Sequence, residues 1–323
     1  MRRNCQGMKS HTLVSRRAAV QLGMNAVAVG GITLAGAARA EELPAWKKGN
    51  IAVPGGKVLS RTYGGGRRAP LLLVHGGPSG ADSRPYAVMS ELGEERQLVT
   101  WDQLDCGESD HPGDAANWRH ARYVEEMDTV RRKLAPGPVH IFGGSWGSTL
   151  AMEWMAVKRP ADVLSVTFVC PGLDYERTET ARRRAQQQLS PESKRAFEEF
   201  ARTGDASDPA YAAANAEYVK RFITRNPPPG FYGGRPNPAM MRALFVDWRN
   251  WSRVREFGQL KQPVLLMRGE YDYITDDDVA FYAAARPGTE TVVIRNAAHL
   301  AFLDNPQETN AVVRRFLRKA DGA

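Results

Sequence analysis

The sequence of 323 residues is poor in the residues that form disulfides or bind transition metals, with only three cysteines and six histidines. Cys5 lies near the N-terminus, and beyond residue 40 no cysteines and histidines have the close spacing of a metal-ligand cluster. Cys106 and Cys170 fall at or just after the ends of predicted strands that are not expected to be neighbours. We therefore predict two free thiols, no bound metal and no cofactor.

Acidic residues are absent from the first forty positions, which contain six of the 44 Lys and Arg residues. The formal net charge of +8 arises mostly there. Beyond residue 40, 38 basic residues stand against 36 acidic ones, a difference of +2. A balance so close to neutral gives no electrostatic reason to expect binding to nucleic acid or to a membrane surface.

The N-terminal segment has the pattern of an export signal. A basic region ends in Ser-Arg-Arg at residues 15–17, residues 18–38 are uncharged, and Ala-Arg-Ala at 38–40 is a small-x-small cleavage site. The paired arginines predict a twin-arginine signal peptide over residues 1–40 and an exported, periplasmic or secreted protein. A membrane anchor is the alternative. The abundance of Ala and Gly, with Gln21 and Asn25, favours a cleaved signal, so no stable anchor is expected.

Short apolar runs alternate with amphipathic stretches from about residue 50, which is typical of an α/β protein with a mostly parallel sheet. Continuous apolar runs fit strands buried on both faces, so we predict eight strands with helices on both sides. The alternation stops after the fourth run, which ends at Cys170, and resumes after residue 262. We therefore predict a helical cap over 171–262, inserted after the sixth strand between two parts of one core, 41–170 and 263–323. The runs are Leu71 to Val74, Leu98 to Trp101, Val139 to Phe142, Leu164 to Cys170, Val264 to Met267 and Thr291 to Ile294.

The strongest local motif is the Gly-Gly-Ser-Trp-Gly sequence at residues 143–147, which follows an apolar run and precedes a helix-like stretch. Strand, sharp turn and helix are the context of a nucleophile elbow. Small residues are needed there because the strand and the helix cross closely. The motif predicts an α/β-hydrolase fold with Ser145 as nucleophile; a glycine-rich turn that arose by chance is the alternative.

A second glycine-rich segment, His75-Gly76-Gly77-Pro78, follows the run that ends at Val74. A loop at this place supplies a backbone N–H to an oxyanion hole, and the other N–H comes from the residue after the nucleophile. We predict Gly77 and Trp146 as the two donors. His75 could instead be the catalytic base, but a histidine in such a loop more often holds the loop by hydrogen bonds.

The base and the acid are predicted from their positions after the last strands. His299 follows the final predicted strand by five residues, and Asp272 follows the strand that ends at Met267. This gives the order Ser, Asp, His of an α/β-hydrolase. Asp272 would fix the imidazole tautomer, and Glu270 is the second candidate. The acidic run at 276–278 is better explained as the cap and first turn of a helix.

Three segments together resemble the proline iminopeptidase family, including its amino-acid amidase relatives. They are HGGP at residues 75–78, DQLDCGESD at 102–110 and GGSWGS at 143–148. The resemblance covers the chain from about Leu71 onward. It implies an α/β-hydrolase core with a helical cap, no metal, and cleavage of the amide bond after an N-terminal residue, often proline.

The resemblance also implies acidic residues in the cap that hold the free α-amine of the substrate, a charged contact that selects N-terminal residues. Glu217 lies in a segment similar to the family's helix with such a glutamate. The second position falls near residues 240–250, where the chain has Asp247 but no Glu. Alternatively, Glu217 forms ion pairs with Lys220 or Arg221 on a solvated helix face. Ser79 and the pair Leu104-Asp105 depart from the family pattern, in loops that influence substrate choice.

These observations support one leading hypothesis, a serine hydrolase that releases an N-terminal residue from a small peptide or amino-acid amide through an acyl-enzyme. The alternative is an esterase or lactonase that acts on neutral substrates with the same triad. A binding protein without catalysis is disfavoured, because the nucleophile, base, acid and both oxyanion donors are present. The sequence does not indicate which oligomeric state the protein adopts.

Overall fold

The computed structural model describes residues 44–227 and 237–322, and the predicted signal peptide lies outside them. Eight strands form a single sheet in the order β1-β2-β4-β3-β5-β6-β7-β8. β1 pairs antiparallel with β2 and β2 with β4, whereas the remaining neighbours are parallel. The strands are β1 (Lys47–Val53), β2 (Gly56–Tyr63), β3 (Arg68–Val74), β4 (Arg96–Trp101), β5 (Val139–Gly144), β6 (Val163–Val169), β7 (Val264–Gly269) and β8 (Glu290–Ile294).

The central strands are buried on both faces. Every residue of β5 and of β7 is buried, and successive side chains of a strand point to opposite faces of the sheet. Both faces of the sheet are therefore covered, which confirms the predicted mostly parallel sheet. The apolar runs identify β3 to β8 but not β1 and β2. β1 exposes its first four residues, because it lies at the edge of the sheet and packs on one side only.

Helices connect the parallel strands. Within the described residues, none of them is long and apolar enough to span a membrane. Two 3₁₀ segments cover Arg84–Glu94 and Ala115–Asn117, and a π-helical turn covers Val219–Ile223. The α-helices are α1 (His120–Leu134), α2 (Trp146–Lys158), α3 (Tyr175–Gln186), α4 (Pro191–Thr203), α5 (Pro209–Tyr218), α6 (Pro238–Trp248), α7 (Val254–Gly258), α8 (Asp276–Ala285), α9 (Ala301–Asp304) and α10 (Pro306–Ala320).

The helices α3 to α7 and the π-helical turn lie between β6 and β7, in the segment predicted as the cap. Part of this segment has a small hydrophobic core of its own, formed by α4, α5, the π-helical turn and the end of α3. In contrast, α6 packs into the main core through Met240, Leu244 and Trp248. The cap segment therefore packs on the main core through α6, with further contacts from Tyr175, Ala181 and Phe257, and it also contains a separately packed group of helices.

Asp321, just after α10, holds two buried groups of the core. Its carboxylate accepts hydrogen bonds from Arg96 Nη2 at 2.8 Å and from Arg68 Nη1 at 3.2 Å, and it bonds to His140 Nε2 at 2.9 Å. The side chain of Arg96 is only 2% exposed. Burial alone would raise the pKa of Asp321, but its bonds to Arg96 and His140 outweigh burial and lower that pKa.

Replacement of Asp321 by alanine is expected to reduce the free energy of unfolding by about 3 kcal/mol, because it leaves Arg96 buried without its charge partner. Urea unfolding at neutral pH measures this difference, with Glu198→Ala on the exposed face of α4 as the control. Because the folded state lowers the pKa of Asp321, its stabilisation is present above the unfolded-state pKa and disappears as the pH falls through the folded-state pKa. Equal unfolding midpoints for the variant and its parent at neutral pH would contradict this role.

Candidate active site

Ser145 lies in a sharp turn between β5 and α2. Its backbone has a φ of 53°, a left-handed conformation that is strained for a residue with a side chain. The turn has no room for larger neighbours. A Cβ at Gly143 would lie 2.5 Å from the carbonyl oxygen of Gly147, and one at Gly147 would overlap the carbonyl oxygen of Val74. The two glycines thus permit a crossing that presents the Ser145 side chain at the end of the strand.

His299 and Asp272 form a buried pair beside this turn. Nδ1 of His299 lies 2.9 Å from Oδ1 of Asp272, and the Asp272 side chain is completely buried. Oδ1 also accepts a hydrogen bond from the backbone N–H of Ile274 at 3.1 Å. Because the carboxylate accepts the Nδ1 proton, Nε2 is the nitrogen left free to accept a proton. The ring of Tyr273 stacks on the imidazole with centroids 4.6 Å apart and restricts its rotation.

The other acidic residues considered from the sequence have different partners. Glu270 is exposed and accepts a hydrogen bond from the backbone N–H of Asn296 at 2.9 Å. Asp276 pairs with Arg268, and Asp278 forms a capping box with Thr275 at the start of α8. Of these carboxylates, the structure brings only Asp272 to His299.

The predicted oxyanion donors lie at the same cavity as the nucleophile and the base. Gly77, Ser145, Trp146 and His299 all line it. Trp146 is the first residue of α2, so its N–H has no acceptor within the helix. Gly77 has a φ of 56°, which a glycine adopts without strain. Both predicted donors therefore border the cavity that Ser145 lines.

Hydrogen bonds of His75 and Gln103 connect the three segments that resemble the proline iminopeptidase family, at residues 75–78, 102–110 and 143–148. Its Nε2 accepts from the backbone N–H of Gln103 at 2.9 Å, and its Nδ1 donates to the carbonyl oxygen of Gly76 at 2.8 Å. The Gln103 side chain donates to the carbonyl oxygen of His75 and accepts from Nε1 of Trp146, both at 2.9 Å. Burial lowers the pKa of His75. With both nitrogens occupied, His75 holds the loops in place and is not available as a base.

Backbone hydrogen bonds connect the loop of His299 to the cap. The N–H of His299 donates to the carbonyl oxygen of Phe222 at 3.0 Å, and that of Leu300 donates to the carbonyl oxygen of Ile223 at 2.8 Å. Both acceptors belong to the π-helical turn. In a π-helix the carbonyl groups near the C-terminal end are not used within the short turn, so they are free to accept from another loop. The position of the imidazole therefore depends on the cap as well as on the core.

The cavity above Ser145 has a volume of about 240 Å³ and a mostly apolar lining. The charged side chains that line it within the described residues are Asp82, Glu179 and Arg182. Asp82 is paired with Arg84 at the cavity edge. Apolar contacts come from both the core and the cap, among them Pro78, Tyr86, Met241, Phe245, Trp248 and Phe302.

Glu179 and Arg182 place an ion pair in this apolar cavity. They lie on α3, Glu179 is 5% exposed, and Nε of Arg182 donates to Oε1 of Glu179 at 3.1 Å while Nη2 binds the second oxygen. The buried hydroxyl of Tyr218 also lines the cavity and has no hydrogen-bond partner among the described residues. This pair was not predicted from the sequence. The signal available was a Glu and an Arg three residues apart on the first helix after β6.

Glu217, predicted to hold the substrate amine, does not line the cavity. Its carboxylate accepts from the backbone N–H of Ser190 at 3.1 Å, from the Ser190 hydroxyl at 2.8 Å and from the Ser193 hydroxyl at 2.6 Å. It also pairs with Arg221 at 3.4 Å. These contacts cap α4, whose first N–H groups lack acceptors within the helix. The structure therefore corrects the expected placement, and the contact to Arg221 matches the alternative interpretation.

Asp247, the predicted second carboxylate, is also directed away from the cavity. Its Oδ2 accepts from the backbone N–H of His120 at 2.8 Å, at the start of α1. The Asp247 side chain is 41% exposed. It therefore caps a core helix, where a carboxylate also complements the helix dipole. The two predicted amine-binding residues are both helix caps in this structure.

The two cysteines of the described region are free, as the sequence predicted, and both are buried. Cys106 contacts the carbonyl oxygen of Pro78 with its thiol at 3.7 Å. Cys170 lines the cavity, and its thiol donates to the carbonyl oxygen of His299 at 2.8 Å. Burial raises the pKa of both thiols well above the ordinary value, so both are protonated at neutral pH.

Comparison with known proteins agrees with the fold and with the resemblance described from the sequence. The family model described as alpha/beta hydrolase fold matches residues 69–306. A proline iminopeptidase of Heyndrickxia coagulans is 28% identical over 288 residues, which cover 84% of this chain and 99% of the relative. The resemblance inferred from the three motifs thus extends over most of the chain.

Solved structures share the fold. A proline iminopeptidase of Mycobacterium smegmatis superposes with a TM-score of 0.71 and 24% identity, over 85% of this chain and 99% of the other. The esterase RhEst1 of Rhodococcus sp. gives a TM-score of 0.61 and 19% identity, over 84% of this chain and 98% of the other. At these identities the structures establish the fold alone.

Proposed function

Since the chain belongs to the α/β-hydrolase fold family and is a hydrolase related to proline iminopeptidases, we propose that it is a serine hydrolase with the triad Ser145, His299 and Asp272. The observation that carries this proposal is the 2.9 Å bond between Nδ1 of His299 and Asp272 beside a strained serine turn. All three residues come from loops at the carboxyl ends of parallel strands. Ligands of open α/β sheets bind at this edge.

In the proposed reaction, Nε2 of His299 takes the proton of the Ser145 hydroxyl while Oγ attacks the substrate carbonyl carbon. The backbone N–H groups of Gly77 and Trp146 stabilise the oxyanion. His299 then gives its proton to the leaving group, and an acyl-enzyme on Ser145 remains. Water activated by the same imidazole releases the acyl group, while Asp272 stabilises the imidazolium at both steps.

The proposed substrate is a small peptide or amino-acid amide with an apolar N-terminal residue. The mostly apolar cavity of about 240 Å³ suits a compact side chain. Because Glu217 and Asp247 are helix caps, we propose Glu179 as the carboxylate that contacts the substrate amine. It is buried, lines the cavity and presents negative charge that a desolvated ammonium requires. The name of the 28% identical relative supports the same substrate class.

A neutral ester or lactone is the second candidate substrate. Within residues 44–227 and 237–322, each carboxylate that lines the cavity is already paired with an arginine, Glu179 with Arg182 and Asp82 with Arg84. An uncharged acyl group would leave both pairs undisturbed. Hydrolysis of an amino-acyl arylamide, compared with its N-acetylated twin and with p-nitrophenyl acetate, separates the two substrates. A preference for the free amine supports the aminopeptidase, and equal rates for the twins support the esterase.

We expect Glu179→Gln to weaken cleavage of the free-amine arylamide by about 2 to 5 kcal/mol, roughly 30- to 5,000-fold in kcat/KM, because the substrate ammonium is left unpaired. Hydrolysis of p-nitrophenyl acetate should change little, since this ester has no ammonium. Glu217→Gln is the matched control and should leave both reactions near the parent rates, because Glu217 lies outside the cavity. The reverse pattern, with Glu217→Gln damaging and Glu179→Gln silent, would contradict the proposed amine contact.

We also propose that residues 1–40 direct export by the twin-arginine route. The support is the arginine pair at 16 and 17, the uncharged segment and the Ala-Arg-Ala sequence that ends at Ala40. A hydrolase of N-terminal residues outside the cytoplasm would act on imported or environmental peptides.

A further inference from the structure

Cys170 lies directly beside the triad and has no part in the proposed reaction. It follows β6, lines the cavity and is 2% exposed. Its thiol donates to the carbonyl oxygen of His299, the residue that carries the imidazole. The Cys170 sulfur, a carboxylate oxygen of Asp272 and an imidazole nitrogen of His299 all lie within 4.8 Å of one another. Three potential metal ligands of different chemistry thus lie close together.

Asp272 has a carboxylate oxygen available in this cluster. Its Oδ1 accepts from His299 and from the backbone of Ile274. Its Oδ2 is buried, and among the described residues it has no hydrogen-bond donor other than the neighbouring Cys170 thiol, which is directed to the carbonyl oxygen of His299. A buried carboxylate oxygen without a donor is costly, and a cation satisfies it.

The ligand chemistry indicates which cation fits. Thiolate, imidazole and carboxylate together bind ions such as Zn²⁺ or Cd²⁺, whereas Mg²⁺ and Ca²⁺ prefer oxygen ligands alone. Because Cys170 and His299 line the cavity, an ion can enter from it and keep one position open to it. We propose that Cys170, Asp272 and His299 form a binding site for a soft divalent cation and that its occupation inactivates the enzyme.

Inactivation follows from the proton movements that metal binding requires. Coordination displaces the thiol proton of Cys170 to solvent, and the Nδ1 proton of His299 moves to Nε2 so that Nδ1 can bind the metal. With Nε2 protonated, the imidazole cannot take the proton of Ser145. Asp272 is then occupied by the cation and no longer orients the base. The metal is therefore an inhibitor here and not a cofactor.

The test uses the full chain in a Cys5→Ala background, with CdCl₂ as the probe and MgCl₂ as the control salt. Cadmium thiolates absorb in the near ultraviolet, so binding is measured without substrate. We expect a saturable absorption band, inhibition of ester hydrolysis over the same concentration range, and recovery with EDTA. Mg²⁺ should produce neither effect.

The matched variants are Cys170→Ala and Cys106→Ala. Loss of a direct ligand in Cys170→Ala should remove the band and weaken inhibition by at least about 100-fold, since even indirect metal contacts contribute about 10- to 100-fold. Cys106→Ala should behave like its parent, because Cys106 contacts Pro78 instead. Cys170→Ser, whose hydroxyl is close in shape to the thiol, replaces the alanine variant if that one does not fold.

Unchanged Cd²⁺ inhibition in Cys170→Ala, or a parent protein that shows no band at millimolar Cd²⁺, would overturn the proposed site. The absorption measurement does not depend on turnover. A band without inhibition would uphold binding and overturn inactivation. If the protein hydrolysed none of the substrates, the absorption band would still test the metal site separately from the proposed function.

Discussion

Replacement of Ser145 by alanine is expected to reduce turnover by roughly 10⁴- to 10⁶-fold, because loss of the nucleophile in a serine hydrolase removes the acyl-enzyme route. The fold should remain intact. The backbone N–H of residue 145 donates to the carbonyl oxygen of Val169 at 2.8 Å, and alanine keeps that bond. Alanine also has the same Cβ as serine, so it adds no strain at a φ of 53°. Single-turnover and steady-state rates on an amino-acyl arylamide measure the loss.

The turn provides its own control residue. Ser148 is buried three positions later, and its hydroxyl donates to the carbonyl oxygen of Gly143 at 2.7 Å. Ser148→Ala should cost stability and leave most of the turnover. Labelling by a fluorophosphonate should disappear in Ser145→Ala and persist in Ser148→Ala. If Ser145→Ala kept even a tenth of the parent activity, a different nucleophile would be required.

The second large effect is expected for Asp272→Asn, with a loss of about 10⁴-fold in kcat. The asparagine amide can donate to Nδ1 of His299 where the carboxylate only accepts, so it favours the tautomer with the proton on Nε2. That tautomer cannot accept the proton of Ser145. The substitution also removes the negative charge that stabilises the imidazolium in the transition state.

Glu270→Gln is the matched control for this variant, two positions away in the same loop. Glu270 is exposed and contacts the backbone of Asn296, so its replacement should change kcat by less than about threefold, as for most surface substitutions. Both variants are compared by kcat and by thermal unfolding. A severe loss in Glu270→Gln together with a mild one in Asp272→Asn would assign the acid to Glu270.

The sequence predicted the parts of the site that depend on local patterns. The turn around Ser145 needs glycine on both sides, so five consecutive residues are enough to identify it. Asp272 follows the apolar run of the buried strand β7, and His299 follows the shorter apolar run of the edge strand β8. The end of each strand fixes where the next loop begins. The fold and the candidate triad could therefore be derived without coordinates.

The lining of the substrate cavity could not be derived in this way. Glu217 and Glu179 both lie on cap helices and both have an arginine nearby in sequence, so no local pattern tells which one faces the core. Contacts between helices decide it. Ser190 and Ser193 at the start of α4 bind Glu217, whereas the packing of α3 turns Glu179 to the cavity. The positions of β1 and β2, two of the eight predicted strands, could not be located for a related reason, since neither strand has a continuous apolar run.

The hydrogen bonds between the π-helical turn and the loop of His299 limit how this enzyme can be re-engineered. Substrate preference in such folds is often altered by exchanging the cap. Here a transplanted cap must offer carbonyl groups where Phe222 and Ile223 now accept from His299 and Leu300. Without them, the N–H groups of His299 and Leu300 would lack these acceptors, and the loop that carries the imidazole would lose its contact with the cap. Exchange of the cap would therefore change specificity and catalytic efficiency together. Point substitutions among the residues that line the cavity are the better route to new substrates.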